Sequence, residues 1–211
     1  MSVTSPRCHI LLRLVFVSIA VAVLSSGVGV ASEVTAPVEQ LHSGLIAIMK
    51  AGKSTPFRQR FEIIAPVVSQ TFDLNTILHQ VIGPRWAALS GGQRADLENA
   101  FQHYTAASYV ANFEDYAGQR FEVAPVVRPV GADRVVETRI VSVSGKVHTL
   151  NYVMRQEDGG WKVVDVLVEG SISRVAAQRS EMRSVLTDGG SAGLLVSLRQ
   201  KTAELSGGIL Q

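Results

Sequence analysis

The sequence predicts an α+β fold, helices first and an antiparallel meander later, and three observations predict it. Apolar residues recur at helical spacing from Val38 to about Tyr116. Four consecutive runs between Arg120 and Gly170 alternate with period two, and helical spacing returns after Ser171.

In PVEQLHSGLIAIMKAG, Val38, Leu41, Leu45 and Ile48 fall on one helical face, and Gly52 ends the run. A second helix follows Ser54-Thr55, with Pro56 at the first helical position and Phe57, Phe61, Ile64 and Val68 at helical spacing. Pro66 predicts a kink in it, because its ring removes one ladder hydrogen bond. DLNTILHQVIGPRW reads as a short helix closed by Gly83-Pro84. Ser90 and Gln93 then make an S-x-x-Q capping box for a long helix reaching about Tyr116.

The runs RFEVAPVVRPV, DRVVETRIVSV, KVHTLNYVMRQ and GWKVVDVLVEG are expected strands. Their separators, GA, SG and EDG, are short enough for hairpins, so the sheet is expected to be a meander with one face against the helices. SISRVAAQRSEMRSVL, stopped at Asp188-Gly189-Gly190, and SAGLLVSLRQKTAEL supply two closing helices. No repeat or linker divides the chain, and residues 32–211 are expected to form a single domain.

The first residues differ from the rest. Arg7 and Arg13 precede the apolar run Leu14 to Leu24, and small residues follow as far as Ala31. This is the pattern of a secretory signal peptide over residues 1–31, cleaved after Ala31, and the eleven-residue run is short of the roughly 20 residues a membrane span needs. The protein is therefore expected to be exported. Cleavage would remove the only cysteine, Cys8, and leave 18 basic against 18 acidic side chains. No disulfide framework or thiol nucleophile is then possible. Balanced charge without a basic stripe also argues against nucleic acid as a partner.

One motif invites a nucleotide. AIMKAGKST, Ala47 to Thr55, fits [AG]xxxxGK[ST], but no strand precedes Ala47 and Gly52 falls where the first helix should end. A helix terminus is the better reading, since a phosphate loop must connect a strand to a helix. No metal site or cofactor is expected: His42, His79, His103 and His148 lack His or Cys partners three or four residues on, and read as surface or satisfied histidines. There is no GxSxG, and Asp73, Asp115, Asp165 and Glu169 show no partner in sequence. Glu114-Asp115 reads as a solvated helix face. Asp165 interrupts the apolar run VVDVLV, where capping or cross-sheet pairing explains a carboxylate as well as catalysis does. An enzyme is not expected. Aromatic content of 6% suits an aliphatic pocket better than a stacking platform, although composition by itself favours a solid core over a lipid cavity.

From Val67 to Phe121 the chain resembles the MlaC and toluene-tolerance family of periplasmic lipid-binding proteins. The residues that carry the likeness are Phe72-Asp73-Leu74, Gly83 followed by Trp86, Gln93-Arg94 opening the long helix, and the aromatic-rich stretch Tyr104 to Tyr116. Farther on, the family's WKVYDVxVEG is matched by Trp161 to Gly170, and its Tyr-Arg-Ser-x-Phe by Gln178-Arg179-Ser180-Glu181-Met182. The segment SISRVAAQRSEM, with Gln178 and Met182 in place of the family's aromatics, is more similar to the hopanoid-associated HpnM branch. These departures bear on the ligand's headgroup more than on the fold.

The resemblance implies a highly curved antiparallel sheet packed against a layer of helices, enclosing an apolar cavity. It implies a carrier that shuttles a phospholipid or hopanoid between an inner-membrane ABC transporter complex and an outer-membrane donor or acceptor. Such a protein is expected to act as a monomer and to touch membranes only transiently. A lipid with about 30 methylenes, at roughly 0.8 kcal/mol each, would face about 24 kcal/mol if carried bare through water, and an enclosing cavity removes that barrier. The lining residues expected are Phe72, Leu74, Leu78, Phe101, Tyr104 and Tyr109 from helices, with Leu150, Tyr152 and Val164 from strands. Arg85 and Trp86 are weaker candidates for the mouth. Two alternatives stay open: an isomerase-like cavity enzyme using Asp165, and a ligand-free envelope assembly factor, which would need an exposed apolar patch and no sizeable cavity.

Overall fold

The computed structural model describes residues 26–210, together with Met1. Among them are α1 (Ser26–Ala51), α2 (Phe57–Thr71), α3 (Leu74–Ile82), a 3₁₀ turn (Gly83–Ala88) and α4 (Gly91–Asn112). Then come β1 (Arg120–Val130), β2 (Asp133–Val141), β3 (Val147–Glu157), β4 (Gly160–Val168), the short β5 (Ile172–Ser173), α5 (Arg174–Asp188) and α6 (Gly190–Leu205). Most of the expected leader lies outside the described residues, and 26–31 begin α1. No helix among the described residues is long and apolar enough to cross a membrane.

The fold class is α+β as expected, with all five strands antiparallel in the order β1-β2-β3-β4-β5. Cross-strand register places Phe121, Val123 and Val127 of β1, Val136 and Thr138 of β2, Leu150, Tyr152 and Met154 of β3, and Val163, Val166 and Val168 of β4 on one face. Helix α1 packs on that face against β1, β2 and β4. Its stripe Val34, Val38, Leu41, Leu45 and Ile48 repeats every three or four residues and is fully buried.

Several boundaries depart from expectation, each for a local reason. Pro37 lies inside α1, not near its start, because Val34 and Val38 on either side are both in the core. α4 stops at Asn112, four residues early, where Phe113 N–H bonds to Tyr109 O. Carboxylates are unfavourable at a helix C-terminus, and Glu114 and Asp115 are instead paired with Lys53, at 2.7 and 3.6 Å. They are not a helix face. The capping box is present with both bonds, Gln93 N–H to Ser90 Oγ at 3.2 Å and Ser90 N–H to Gln93 Oε1 at 2.9 Å.

Candidate functional site

The triplet Phe72-Asp73-Leu74 is a junction in which each residue has one task. Phe72 bridges Val163 of β4, and Asp73 N–H donates to Val163 O at 3.0 Å, which ties the α2–α3 link to the sheet. The Asp73 carboxylate then accepts Thr76 N–H at 2.9 Å and caps α3. Lys162 fastens the same corner by donating to Gln70 O.

Beside this junction, between α4 and the β3–β4 half of the sheet, lies a pocket of about 410 Å³. Phe72, Leu74 and Ile77 form one end. Helix α4 contributes Phe101, Thr105, Ser108, Tyr109 and Asn112, which share one helical stripe, with Phe113 beyond its end. The sheet contributes Leu150, Tyr152, Asp165, Val166 and Val168, and α5 contributes Arg174, Val175 and Gln178. The wall is richer in aromatic rings than composition suggested. Ring contacts run from Phe72 to Tyr109 (5.8 Å), Tyr109 to Phe113 (6.0 Å), Phe113 to Phe121 (6.2 Å) and Phe121 to His42 (4.8 Å).

Six of the nine expected lining residues come together here: Phe72, Leu74, Phe101, Tyr109, Leu150 and Tyr152. Leu78 is wholly within the core. Tyr104 lies roughly 80° around α4 from the centre of the lining stripe, at about 100° per residue. Val164 is the extra residue of a β-bulge: Val153 pairs with Asp165 but Met154 pairs with Val163, so Val166, not Val164, lies opposite Tyr152. A strict period of two through VVDVLV cannot reveal such a slip. Arg85 and Trp86 do not line this pocket; Trp86 instead packs on His79 at 5.5 Å, with the Arg94 guanidinium 5.5 Å from its ring centre. Among the lining residues missed from sequence, Thr105, Ser108 and Asn112 of α4 and Arg174 and Gln178 of α5 are polar, and for these an apolar pattern gives no signal.

Asp165 lines the pocket but is occupied as a cap. Its carboxylate accepts Val166 N–H (2.7 Å), Ser173 Oγ–H (2.5 Å) and Val175 N–H (3.1 Å), which hold β5 and the start of α5 against β4. Its oxygens therefore serve the backbone. Tyr152 is 1% exposed, and burial pushes its phenol above the usual range. Tyr109 is partly accessible where it lines the pocket, yet burial raises its phenol well up; the Tyr152 phenol adds to this and the Arg174 guanidinium opposes it. His42 is neither a surface nor a satisfied histidine. It is 5% exposed, its Nε2 has no hydrogen-bond partner among the described residues, and desolvation lowers its pKa to about 4. Among the described residues no three His, Cys, Asp or Glu side chains are grouped to hold a metal. The most exposed large apolar side chains in the folded domain, Val126, Val143, Val196 and Ile172, belong to separate parts of the chain.

The family model described as MlaC protein matches residues 39–200. No curated protein sequence matches the chain. Among solved structures, the chain is similar to a phospholipid-binding protein from Ralstonia solanacearum, solved in complex with a phospholipid. The two share 18% identity with a TM-score of 0.71, over 82% of this chain and 98% of that one. At that identity the likeness shows the fold.

Proposed function

The chain belongs to the MlaC family, and from that premise we propose that it is a periplasmic carrier that holds one lipid in the α4–sheet pocket and moves it between membranes. Members of the family are lipid-binding carriers and not enzymes. The observation that carries the proposal for this chain is the pocket itself: a cleft of about 410 Å³ within the size range of ligand sites, walled by Phe72, Leu74, Ile77, Phe101, Leu150 and Val166. Of the expected residues, Phe72, Leu74, Phe101, Tyr109, Leu150 and Tyr152 are proposed as the ones that touch the chains.

The phospholipid bound by the Ralstonia relative supports a phospholipid as cargo. A hopanoid is the alternative that the HpnM-like segment Ser171 to Met182 suggests. The bulges at Val123/Val127 and Val153/Met154 support a sheet curved around its cargo, because bulges bend the strand that carries them. An inner-membrane ABC transporter complex would take or supply the lipid on one side and an outer-membrane partner on the other. The transfer needs no covalent step, only a shielded path that avoids exposing methylenes to water.

The test is chemical. The chain, purified from a bacterial periplasm and extracted with organic solvent, is expected to release about one lipid molecule per protein by mass spectrometry. Extracts without lipid would overturn the proposal.

A further inference from the structure

Four large apolar side chains from distant parts of the sequence reach one end of the sheet and are exposed there. The β2–β3 turn, closed by Ser142 N–H to Lys146 O at 2.9 Å, carries Val143, 69% exposed, with the exposed Val147 at its foot. Strand β1 starts at the same end, since Arg120 pairs with Val141, and the loop before it brings Tyr116 and Gly118. Gly118 makes room for the turn: a Cβ there would stand 3.2 Å from Val143 Cγ2. Glu169 N–H donates to Thr149 O at 2.8 Å, and Ile172, 59% exposed, pairs with Val168, so the β4–β5 turn completes the group. One exposed apolar side chain is ordinary, but several gathered at one end call for a partner. The pocket reaches this end too, running from Phe72, beside Val163, to Leu150, Val168 and Phe113.

The charges at this end favour one kind of partner. Its acids are engaged: Glu114 and Asp115 with Lys53, Glu122 with Arg120, and Glu169 with His148. Lys50, Lys146 and Arg174 are exposed, and none of them pairs with a carboxylate among the described residues. Lys50 Nζ lies instead 5.2 Å from the centre of the Tyr116 ring. The unpaired charge is therefore cationic. At the opposite end the β3–β4 turn presents Glu157 and Asp158, and Val130 is the one large apolar side chain exposed beside either turn there, among the described residues.

Resting on the carrier reading, we infer that the protein sets this end against an anionic bilayer. Val143, Val147 and Ile172 enter the headgroup layer, Tyr116 lies at its boundary, and Lys50, Lys146 and Arg174 meet the lipid phosphates. Tips on separate turns form no groove for a folded partner, whereas a fluid surface can admit each of them. The acidic end is repelled, so the pocket is turned toward the lipid. Each tip buries little, which keeps the contact brief and lets the protein leave.

The experiment uses the purified full chain with vesicles of phosphatidylcholine alone or mixed equally with phosphatidylglycerol. Val143→Trp and Ile172→Trp are read by tryptophan emission, with Val126→Trp as control, since Val126 is 73% exposed but lies midway along β1. Mixed vesicles should shift the emission of the first two variants to the blue and leave the control unmoved, and added salt should reverse the shift by screening. Lys146→Glu should weaken vesicle binding by about tenfold, the scale of one to two surface charges. Val143→Ser should weaken it several-fold, and both variants should keep the wild-type urea midpoint and lipid content. No shift in Val143→Trp and Ile172→Trp, or an equal shift in Val126→Trp, would overturn the assignment, while the lipid recovered from wild type reports on the carrier reading separately. Binding confined to native envelope vesicles, and lost when their proteins are digested, would overturn it in favour of a membrane-protein partner.

Discussion

Helices α1 and α4 are both long and both face the sheet, yet one closes on it and the other leaves a pocket. The α1 stripe is aliphatic from Val34 to Ile48 and fully buried against β1, β2 and β4. The α4 stripe has the same spacing but puts Thr105 and Ser108 between Phe101 and Tyr109. These two hydroxyls need nothing from the sheet, because Thr105 donates to Phe101 O and Ser108 to Tyr104 O, both at 2.8 Å. Small residues that satisfy themselves can hold a space open without leaving an unpaired polar group. The contrast teaches that a pocket can be kept by what a helix omits.

The largest expected effect contrasts the two sides directly. Leu45→Ala removes a side chain from close packing and should cost about 3 kcal/mol in urea unfolding. Leu150→Ala, beside a space already open, should cost only about 1 kcal/mol. Equal losses would mean that the pocket side is packed as tightly as the α1 side.

His42 stands where the two sides meet, on α1 with its ring 5.8 Å from that of Tyr152. Burial lowers its pKa to about 4 in the folded chain, against about 6.5 for an imidazole in water. As pH falls below about 6.5 the unfolded chain takes up the proton first, so stability declines until about pH 4 and then levels off. Between pH 7.5 and 4.5 this group alone should remove on the order of 2 to 3 kcal/mol. Urea titrations of His42→Leu should lack that part of the acid sensitivity; identical pH profiles for variant and wild type would show that burial does not hold the ring neutral.

Filling the space tests the other half of the contrast. Thr105→Leu keeps the helix and adds apolar volume to the stripe, so the lipid recovered per protein should fall several-fold, a loss of about 1 kcal/mol in binding. The urea midpoint should not fall. Undiminished lipid content would place the cargo elsewhere.

Much of this was legible in sequence, but unevenly. The α1 stripe, the Ser90–Gln93 box and the four long strands follow from spacing and capping chemistry that neighbours in sequence decide. The triplet Phe72-Asp73-Leu74 could be matched as a motif, but its meaning depends on Val163, some ninety residues away, and so is invisible locally. Val164 was misplaced because a bulge shifts register without changing composition. Arg174 and Gln178 were missed because a polar side chain on a pocket rim looks like any exposed helical residue until the opposing wall is known.

The smallest expected effect concerns the stretch that mimics a phosphate loop. Residues 47–51 complete α1, and Gly52, at φ 68°, closes it with its N–H bonded to Ile48 O and Met49 O. Lys53 is turned toward Glu114 and Asp115 at the end of α4, and these carboxylates raise its pKa. The pair is exposed, so solvent and salt screen it, and holding two long side chains together offsets much of the attraction. Lys53→Ala should therefore leave the urea midpoint within error and the lipid content unchanged, and ATP should not shift the melting temperature of either protein. A loss of lipid in this variant would mean that the α1–α2 turn, on the closed side of the molecule, also governs the open one.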